Sequence, residues 1–131
     1  MAETTGKALL IVTTDPSHEW EDELNRWYDE EHIIDELQRV PGVLSARRYI
    51  RAPSVRDAVF GDQARPAVFP HYLAIFELET EDVLHSPEYQ AFMNDPTEWG
   101  QRVIPNVPLS VLVYRQVYPE QGFATRDAPK G

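Results

Sequence analysis

Four short aliphatic and β-branched runs, separated by segments of helical periodicity, constrain the fold of this chain more than any other feature. The runs predict strands at residues 7–14, 43–51, 71–79 and 109–118. Helices are predicted over about 17–39 and about 81–94, the second with a restart at Ser86-Pro87, and a helical turn is predicted around Trp99. The stretch from Ala52 to Pro70 contains three prolines and a glycine without a clear period, and it predicts a long loop. The order βαββαβ indicates an α+β split βαβ fold, with a four-stranded antiparallel sheet and helices on one face.

The first and fourth strands are apolar at most positions instead of alternating between apolar and polar residues. Such strands are typical of sheets whose two faces are both covered. Helices in this topology cover only one face, so a second copy of the chain is the simplest cover for the other. The pattern therefore predicts a homodimer.

Composition narrows the class of protein. With 131 residues the chain is predicted to form one domain over residues 1–118 and a C-terminal tail over 119–131. A net charge of −10 argues against binding to DNA or RNA. The absence of cysteine excludes disulfides and fits a cytoplasmic protein. The apolar run Ala8 to Val12 is far shorter than a signal-peptide core or a membrane span, so neither export nor a membrane partner is expected.

The apolar stripe of the first helix changes its phase. Trp20, Leu24 and Trp27 share one stripe, whereas Ile33 and Leu37, followed by Val40, lie on a roughly opposite one at about 100° per residue. One straight helix cannot bury both stripes. The pattern predicts a kink or break between Glu30 and Ile34, with His32 near it.

The segment WYDEEHIIDELQRVPGVLSARRY, residues 27–49, resembles EthD-like proteins of the dimeric α/β-barrel superfamily. That family often reads roughly W-Y-x-E-E-H-I-P-E-L, then V-P-G, then A-R-R-Y, and the later pieces HYLAIFELE, HSPEYQ and EWGQRV are similar more loosely. Ile34 stands where the family commonly has proline. The resemblance implies a ferredoxin-like subunit, a sheet-to-sheet homodimer (the dimeric α/β barrel) and a cleft between sheet and helices. Relatives include isomerases, dehydratases, polyketide cyclases and cofactor-independent monooxygenases, so the resemblance fixes no reaction.

Three residues of this helix are the candidate catalytic groups. His32 matches the histidine of the family pattern, and imidazole transfers protons near neutral pH; the alternative is that it only hydrogen-bonds the helix end. Glu31 lies on the stripe of Trp27 if the helix is regular, and burial would raise the pKa of its carboxyl; otherwise it points to water. Tyr28 lies one turn before His32, so the two side chains can share a pocket wall.

Five further residues are candidates for binding a small molecule. Trp27, Tyr49, Tyr72 and Trp99 offer aromatic surface for a flat apolar ligand, although aromatic residues at such positions are often core. Arg47 and Arg48 are neighbours on a strand, so only one of them faces the helices. Either could bind a carboxylate or stabilise an enolate-like charge, although pairing with the acidic helix is the more frequent use; Arg48 is the candidate binding residue.

No cofactor or metal is expected from the sequence. His18, His32, His71 and His85 form no H-E-x-x-H motif and no close pair, and no nucleotide-binding signature is present. The leading hypothesis is a cofactor-independent lyase, dehydratase or isomerase that uses His32 for proton transfer on an aromatic or polyketide-like substrate. The alternatives are a non-catalytic or stress-related protein that binds a hydrophobic ligand, and a cofactor-free monooxygenase.

Overall fold

The computed structural model describes residues 6–127, so the outer ends of the predicted domain and tail, residues 1–5 and 128–131, lie outside the described residues. Four strands form one sheet: β1 (Ala8–Thr14), β2 (Val43–Ile50), β3 (Tyr72–Leu78) and β4 (Leu109–Arg115). Their order across the sheet is β2-β3-β1-β4, and every neighbouring pair is antiparallel. This is the predicted ferredoxin-like arrangement, and the fold-class prediction is confirmed.

Five α-helices accompany the sheet: α1 (His18–Trp27), α2 (Ile33–Arg39), α3 (Pro53–Phe60), α4 (Pro87–Asn94) and α5 (Glu98–Val103). The predicted restart at Ser86-Pro87 is present, because Ser86 caps α4 by accepting a hydrogen bond from the Tyr89 amide at 3.1 Å. A 3₁₀ turn, Glu81–His85, precedes that cap. The predicted helical turn around Trp99 is α5, which is capped in the same way by Thr97.

The core lies between the helices and one face of the sheet. Phe76 and Leu78 of β3 and Leu10 of β1 are buried against Leu24 of α1 and Val103 of α5. At about 25 cal/mol per Å² of buried apolar surface, this layer is the main stabilising contribution of the fold.

The other face of the sheet is open within residues 6–127. Residues opposite one another on neighbouring strands share a face, and Ile11 lies between Ile75 and Leu112 at the centre of this one. Leu112 is 43% exposed, and every residue of β4 is exposed. We call this surface the outer face; it also carries Leu9, Leu73 and Tyr114.

The first helix deviates from α-helical geometry near the predicted position, but it does not break. A π-helical turn, Tyr28–His32, joins α1 directly to α2, and the Ile33 amide donates to the Tyr28 carbonyl five residues earlier. The deviation begins two residues earlier than predicted. Without a proline at position 34, the chain accommodates the phase change by one wider turn and continues as a helix.

The prediction of a long loop over residues 52–70 is wrong for the first half of that stretch. Residues 53–63 form α3 and a 3₁₀ turn, Gly61–Gln63, with proline at the first turn of the helix, where proline is tolerated. The rest of the stretch is irregular, and the Arg51 and Arg56 side chains bond to its carbonyls. No residue of α3 is buried, so periodicity gave a weak signal for a helix.

Candidate functional site

An apolar cavity of about 210 Å³ lies between the helices and the covered face of the sheet. We call it the inner cavity. The sheet contributes Leu10, Val12, Thr14, Phe76, Leu109 and Val111, and the helices and their connections contribute Leu24, Trp27, Tyr28, His32, Glu36, Tyr89, Phe92, Met93, Val103, Ile104 and Val107. Polar groups are few in this wall, which is typical of pockets that bind small apolar molecules.

His32 projects into this cavity from the π-helical turn. Its imidazole stacks on the Trp27 ring at 4.3 Å between centroids and faces Phe92 at 5.5 Å. Tyr28 meets it edge-on at 5.2 Å, so the predicted sharing of one wall by Tyr28 and His32 is present. Three aromatic contacts therefore fix the ring, and 20% of the His32 side chain stays exposed.

Glu36 lies one turn after His32, and its Oε1 is 3.7 Å from His32 Nε2. The residue is 1% exposed, and it is the one buried acidic residue in the described part of the chain. Burial lowers the pKa of His32 to about 4, and burial, with a smaller contribution from Asp35, raises the pKa of Glu36 to about 8. At neutral pH Glu36 is therefore protonated beside a neutral imidazole.

Two phenols complete the polar part of the wall. Burial raises the pKa of Tyr28 far above its ordinary value, partly offset by Arg48, and burial raises the pKa of Tyr89 to about 12. The charge of Glu36 raises both values further. Both phenols are therefore hydroxyl groups at neutral pH, able to donate or to accept a hydrogen bond.

A second cavity of about 270 Å³ adjoins the inner cavity. Its lining comes from the helices and their connections, not from the outer face of the sheet, and we call it the outer cavity. His32, Trp27 and Phe92 line both cavities, so the aromatic stack separates them. Glu31 lies in the outer cavity and accepts a hydrogen bond from Thr97 Oγ1 at 2.6 Å. His32 is thus within reach of two spaces at once.

Glu31 takes neither of the two positions that the sequence left open, a buried carboxylate or a side chain that points to water. Glu31 is only partly buried, and the fully buried carboxylate is Glu36. The wider turn rotates the helix between Trp27 and Glu36, which takes Glu31 off the buried side. The spacing of four residues from Tyr28 through His32 to Glu36 is the sequence signal that points to Glu36.

Of the predicted binding residues, Trp27 alone lines the inner cavity. Arg48 does face the helices, but it pairs with Asp29 at 3.0 Å and lies over the Tyr28 ring at 4.7 Å, behind the cavity wall. Tyr72 donates a hydrogen bond to Glu21 at 2.5 Å and lies outside the cavity lining.

Tyr49 and Trp99 are also placed outside the cavity. Tyr49 is 45% exposed and pairs with Leu73 on the outer face of the sheet, because residues alternate between faces along a strand. Trp99 packs against the edge of the core, with the Arg26 guanidinium over its ring at 5.5 Å. Tyr89 and Phe92 of α4, which the sequence did not identify as candidate site residues, line the inner cavity instead.

Residues 6–127 contain no cluster of three or more histidine, aspartate or glutamate side chains placed to hold a metal ion. In the same range no helix has both the length and the apolar character needed to cross a membrane.

The sequence matches no protein-family model and no curated protein. Solved structures share its fold at low sequence identity. HapK from Hahella chejuensis superposes with a TM-score of 0.54 and 11% identity, covering 90% of this chain and 98% of HapK.

Two further structures agree. An ethyl tert-butyl ether d (EthD) family protein from Bacillus halodurans gives a TM-score of 0.51 at 8% identity, covering 85% of this chain and 99% of that one. A dimeric ferredoxin-like protein of unknown function from Jannaschia sp. gives 0.50 at 15% identity, covering 84% and 99%. The chain therefore has an EthD-like, ferredoxin-like fold, in agreement with the resemblance carried by residues 27–49.

Proposed function

We propose that this protein is a homodimeric, cofactor-independent enzyme of lyase, dehydratase or isomerase type, with His32 as the proton-transfer residue. Its substrate is a small aromatic or polyketide-like molecule. The observation that carries the proposal is a largely buried, neutral imidazole, held by aromatic contacts and presented to an apolar cavity. Buried titratable groups with strongly shifted pKa values in a cleft are typical of catalytic sites.

The cavity wall fits a flat, largely apolar ligand. Apart from Thr14 and the cluster of His32, Glu36, Tyr28 and Tyr89, its lining is aliphatic or aromatic. A ligand that fills the inner cavity lies against His32 and against the two phenols, so hydrogen bonds fix its orientation while burial supplies its affinity.

Proton transfer to His32 is supported by its distance from Glu36. An imidazolium at His32 and a carboxylate at Glu36 would lie 3.7 Å apart in a low-dielectric site, where opposite charges stabilise each other. When His32 takes a proton from a substrate carbon and Glu36 gives its own proton to a substrate oxygen, the two charges that form stabilise each other. This coupling offsets the cost of charging a buried imidazole.

A homodimer is supported by the outer face and by one structural neighbour. Ile11, Ile75 and Leu112 form the apolar centre of a sheet face that no helix covers within the described residues. The Jannaschia protein of the same fold is dimeric. A second copy packed sheet to sheet would remove this surface from water.

A direct test is the exchange of the α-protons of β-tetralone in D₂O, followed by proton NMR. This bicyclic aromatic ketone is a small apolar carbon acid, so exchange reports proton abstraction without knowledge of the natural substrate. We expect the protein to accelerate exchange above the buffer rate. His32→Phe keeps the aromatic stack and should lose the acceleration, typically at least a hundredfold for a general base.

The matched control is His85→Ala, because His85 is exposed in the 3₁₀ turn before α4. This variant should exchange β-tetralone at the wild-type rate. Equal rates for wild type and His32→Phe would refute the role of His32. Tight binding of β-tetralone without any exchange would favour the alternative, a non-catalytic protein that binds a hydrophobic ligand. The pKa of His32, about 4, also favours this alternative, because it makes the imidazole a weak base.

A further inference from the structure

One oxygen of Glu36 has no hydrogen-bond partner among residues 6–127. Its Oε1 is 3.7 Å from His32 Nε2, beyond hydrogen-bond distance, Oε2 is buried and unpaired, and the side chain is 2% exposed. Glu36 also lines the inner cavity. A buried polar group without a hydrogen-bond partner costs about 1–3 kcal/mol, so a ligand group in the cavity that pairs with the carboxyl group of Glu36 gains affinity by relieving that cost.

We propose that the inner cavity selects an uncharged ligand with a flat apolar body and one carbonyl-type oxygen, and that this oxygen accepts a hydrogen bond from the carboxyl group of Glu36. The inference rests on the inner cavity being the binding site of the proposed function, but it does not require turnover. Glu36 is in this reading a binding residue that sets specificity.

The charges around Glu36 support a neutral ligand. The groups that face it are His32 on its own helix, Tyr28 in the preceding turn and Tyr89 on α4, with Asp35 next to it in sequence. His32, Tyr28 and Tyr89 are neutral at physiological pH. Burial raises the pKa of Glu36 to about 8 and so keeps its carboxyl group protonated. A carboxylic acid in this state donates one hydrogen bond.

Arginine side chains on α2 and β2 are paired with acidic residues and do not balance a charged ligand. Arg39 pairs with Asp35 at 3.5 Å, and Arg48 pairs with Asp29 at 3.0 Å. An anionic ligand in the cavity would therefore lose its hydration without gaining a counter-charge from these side chains. A ligand without an acceptor oxygen would leave the Glu36 hydroxyl unpaired.

The test compares three probes of similar ring size by isothermal titration calorimetry: β-tetralone, tetralin and the anion of β-naphthoic acid. Tetralin has the same rings as β-tetralone but no oxygen. We expect wild-type protein to bind β-tetralone about tenfold more tightly than tetralin, and the anion most weakly. The preference for the ketone should disappear when the pH is raised from about one unit below to about one unit above the pKa of Glu36, because a carboxylate cannot donate.

Two variants at this position separate hydrogen bonding from packing. Glu36→Gln keeps a donor and cannot ionise, so it should retain the preference for the ketone at both pH values. Glu36→Leu should bind the ketone and tetralin equally. Glu30→Gln, an exposed neighbour paired with Arg26, is the control and should behave as the wild type does.

The proposal is overturned if Glu36→Leu keeps the tenfold preference, if the anion binds most tightly, or if β-tetralone does not bind the wild-type protein. Circular dichroism confirms that each variant is folded, and Glu36→Gln retains the test if Glu36→Leu does not fold. Failure of proton exchange with the ketone preference intact removes the enzyme and leaves this inference standing. Exchange that depends on His32, in a wild-type protein that binds β-tetralone and tetralin equally, removes this inference and leaves the enzyme standing.

Discussion

The opposite pKa shifts of Glu36 and His32 predict how the free energy of unfolding depends on pH. Burial raises the pKa of Glu36 from 4.5 to about 8, so above pH 4.5 the folded chain keeps a proton that the unfolded chain releases, and stability falls as the pH rises towards 8. Burial lowers the pKa of His32 from 6.5 to about 4, so below pH 6.5 the unfolded chain binds a proton that the folded chain does not. Stability from His32 therefore rises with pH up to 6.5. Between pH 4.5 and pH 6.5 the two effects cancel.

Above pH 6.5 only the effect of Glu36 remains. From pH 6.5 to its pKa of about 8 is about 1.5 pH units, and each unit is worth about 1.36 kcal/mol, so the free energy of unfolding should fall by about 2 kcal/mol. Urea denaturation at fixed protein concentration across this interval measures the fall. Glu36→Gln carries no titrating carboxyl, so its curve should lack this component while other groups titrate as before.

The comparison of the two curves isolates Glu36 from the remaining histidines and from any effect of association. A wild-type curve that stays parallel to the Glu36→Gln curve between pH 6.5 and pH 8 would refute the argument, because it would mean that Glu36 is ionised in both the folded and the unfolded state over this interval. Such a result would also remove the neutral carboxyl group on which the proposed ligand selection depends.

Two further predictions concern association and packing. In size-exclusion chromatography, wild-type protein should elute at about twice its 15.1 kDa mass. Leu112→Asp, at the centre of the outer face, should elute as a folded monomer. A wild-type monomer at micromolar concentration would contradict the dimer. His32→Ala removes a ring held between Trp27 and Phe92, so it should lower the free energy of unfolding, measured by urea denaturation, by about 1–2 kcal/mol. His32→Phe keeps an aromatic ring and should lower it less. Equal losses for the two variants would show that the aromatic stack contributes little to stability.

The fold was predictable because its strands carry a strong local signal. The run ALLIVTT in β1 is aliphatic and β-branched, the run YLAIFEL in β3 is aliphatic and aromatic apart from its glutamate, and each ends at a polar or proline-containing turn. The order βαββαβ leaves few topologies, and the structure adopts the expected one. Helix α3 escaped prediction because none of its residues is buried, and without a buried stripe a helix has no clear period to detect.

The candidate site was predictable only where it depends on local spacing. Tyr28 and His32 are four residues apart on one helix, so their sharing of a wall follows from helix geometry. Tyr89 and Phe92 reach the cavity through the packing of α4 against α2, which the sequence does not encode locally. Tyr49 was misplaced because side chains alternate between faces along a strand: Arg48 faces the helices, so Tyr49, the next residue, lies on the outer face.

The π-helical turn explains how one helix presents both members of the proposed proton pair to the cavity. Steps of four residues advance an α-helix about 40° beyond a full turn, so a long series at this spacing drifts off one side of the helix. The series Leu24, Tyr28, His32, Glu36, Val40 nevertheless stays directed at the core, with four of its five members buried and His32 partly so. The wider turn at residues 28–32 absorbs one extra residue and reverses the drift within this series. A regular α-helix over the same residues would rotate Glu36 away from the side that buries Leu24, so the departure from α-helical geometry is what places a carboxyl group and an imidazole in one apolar wall.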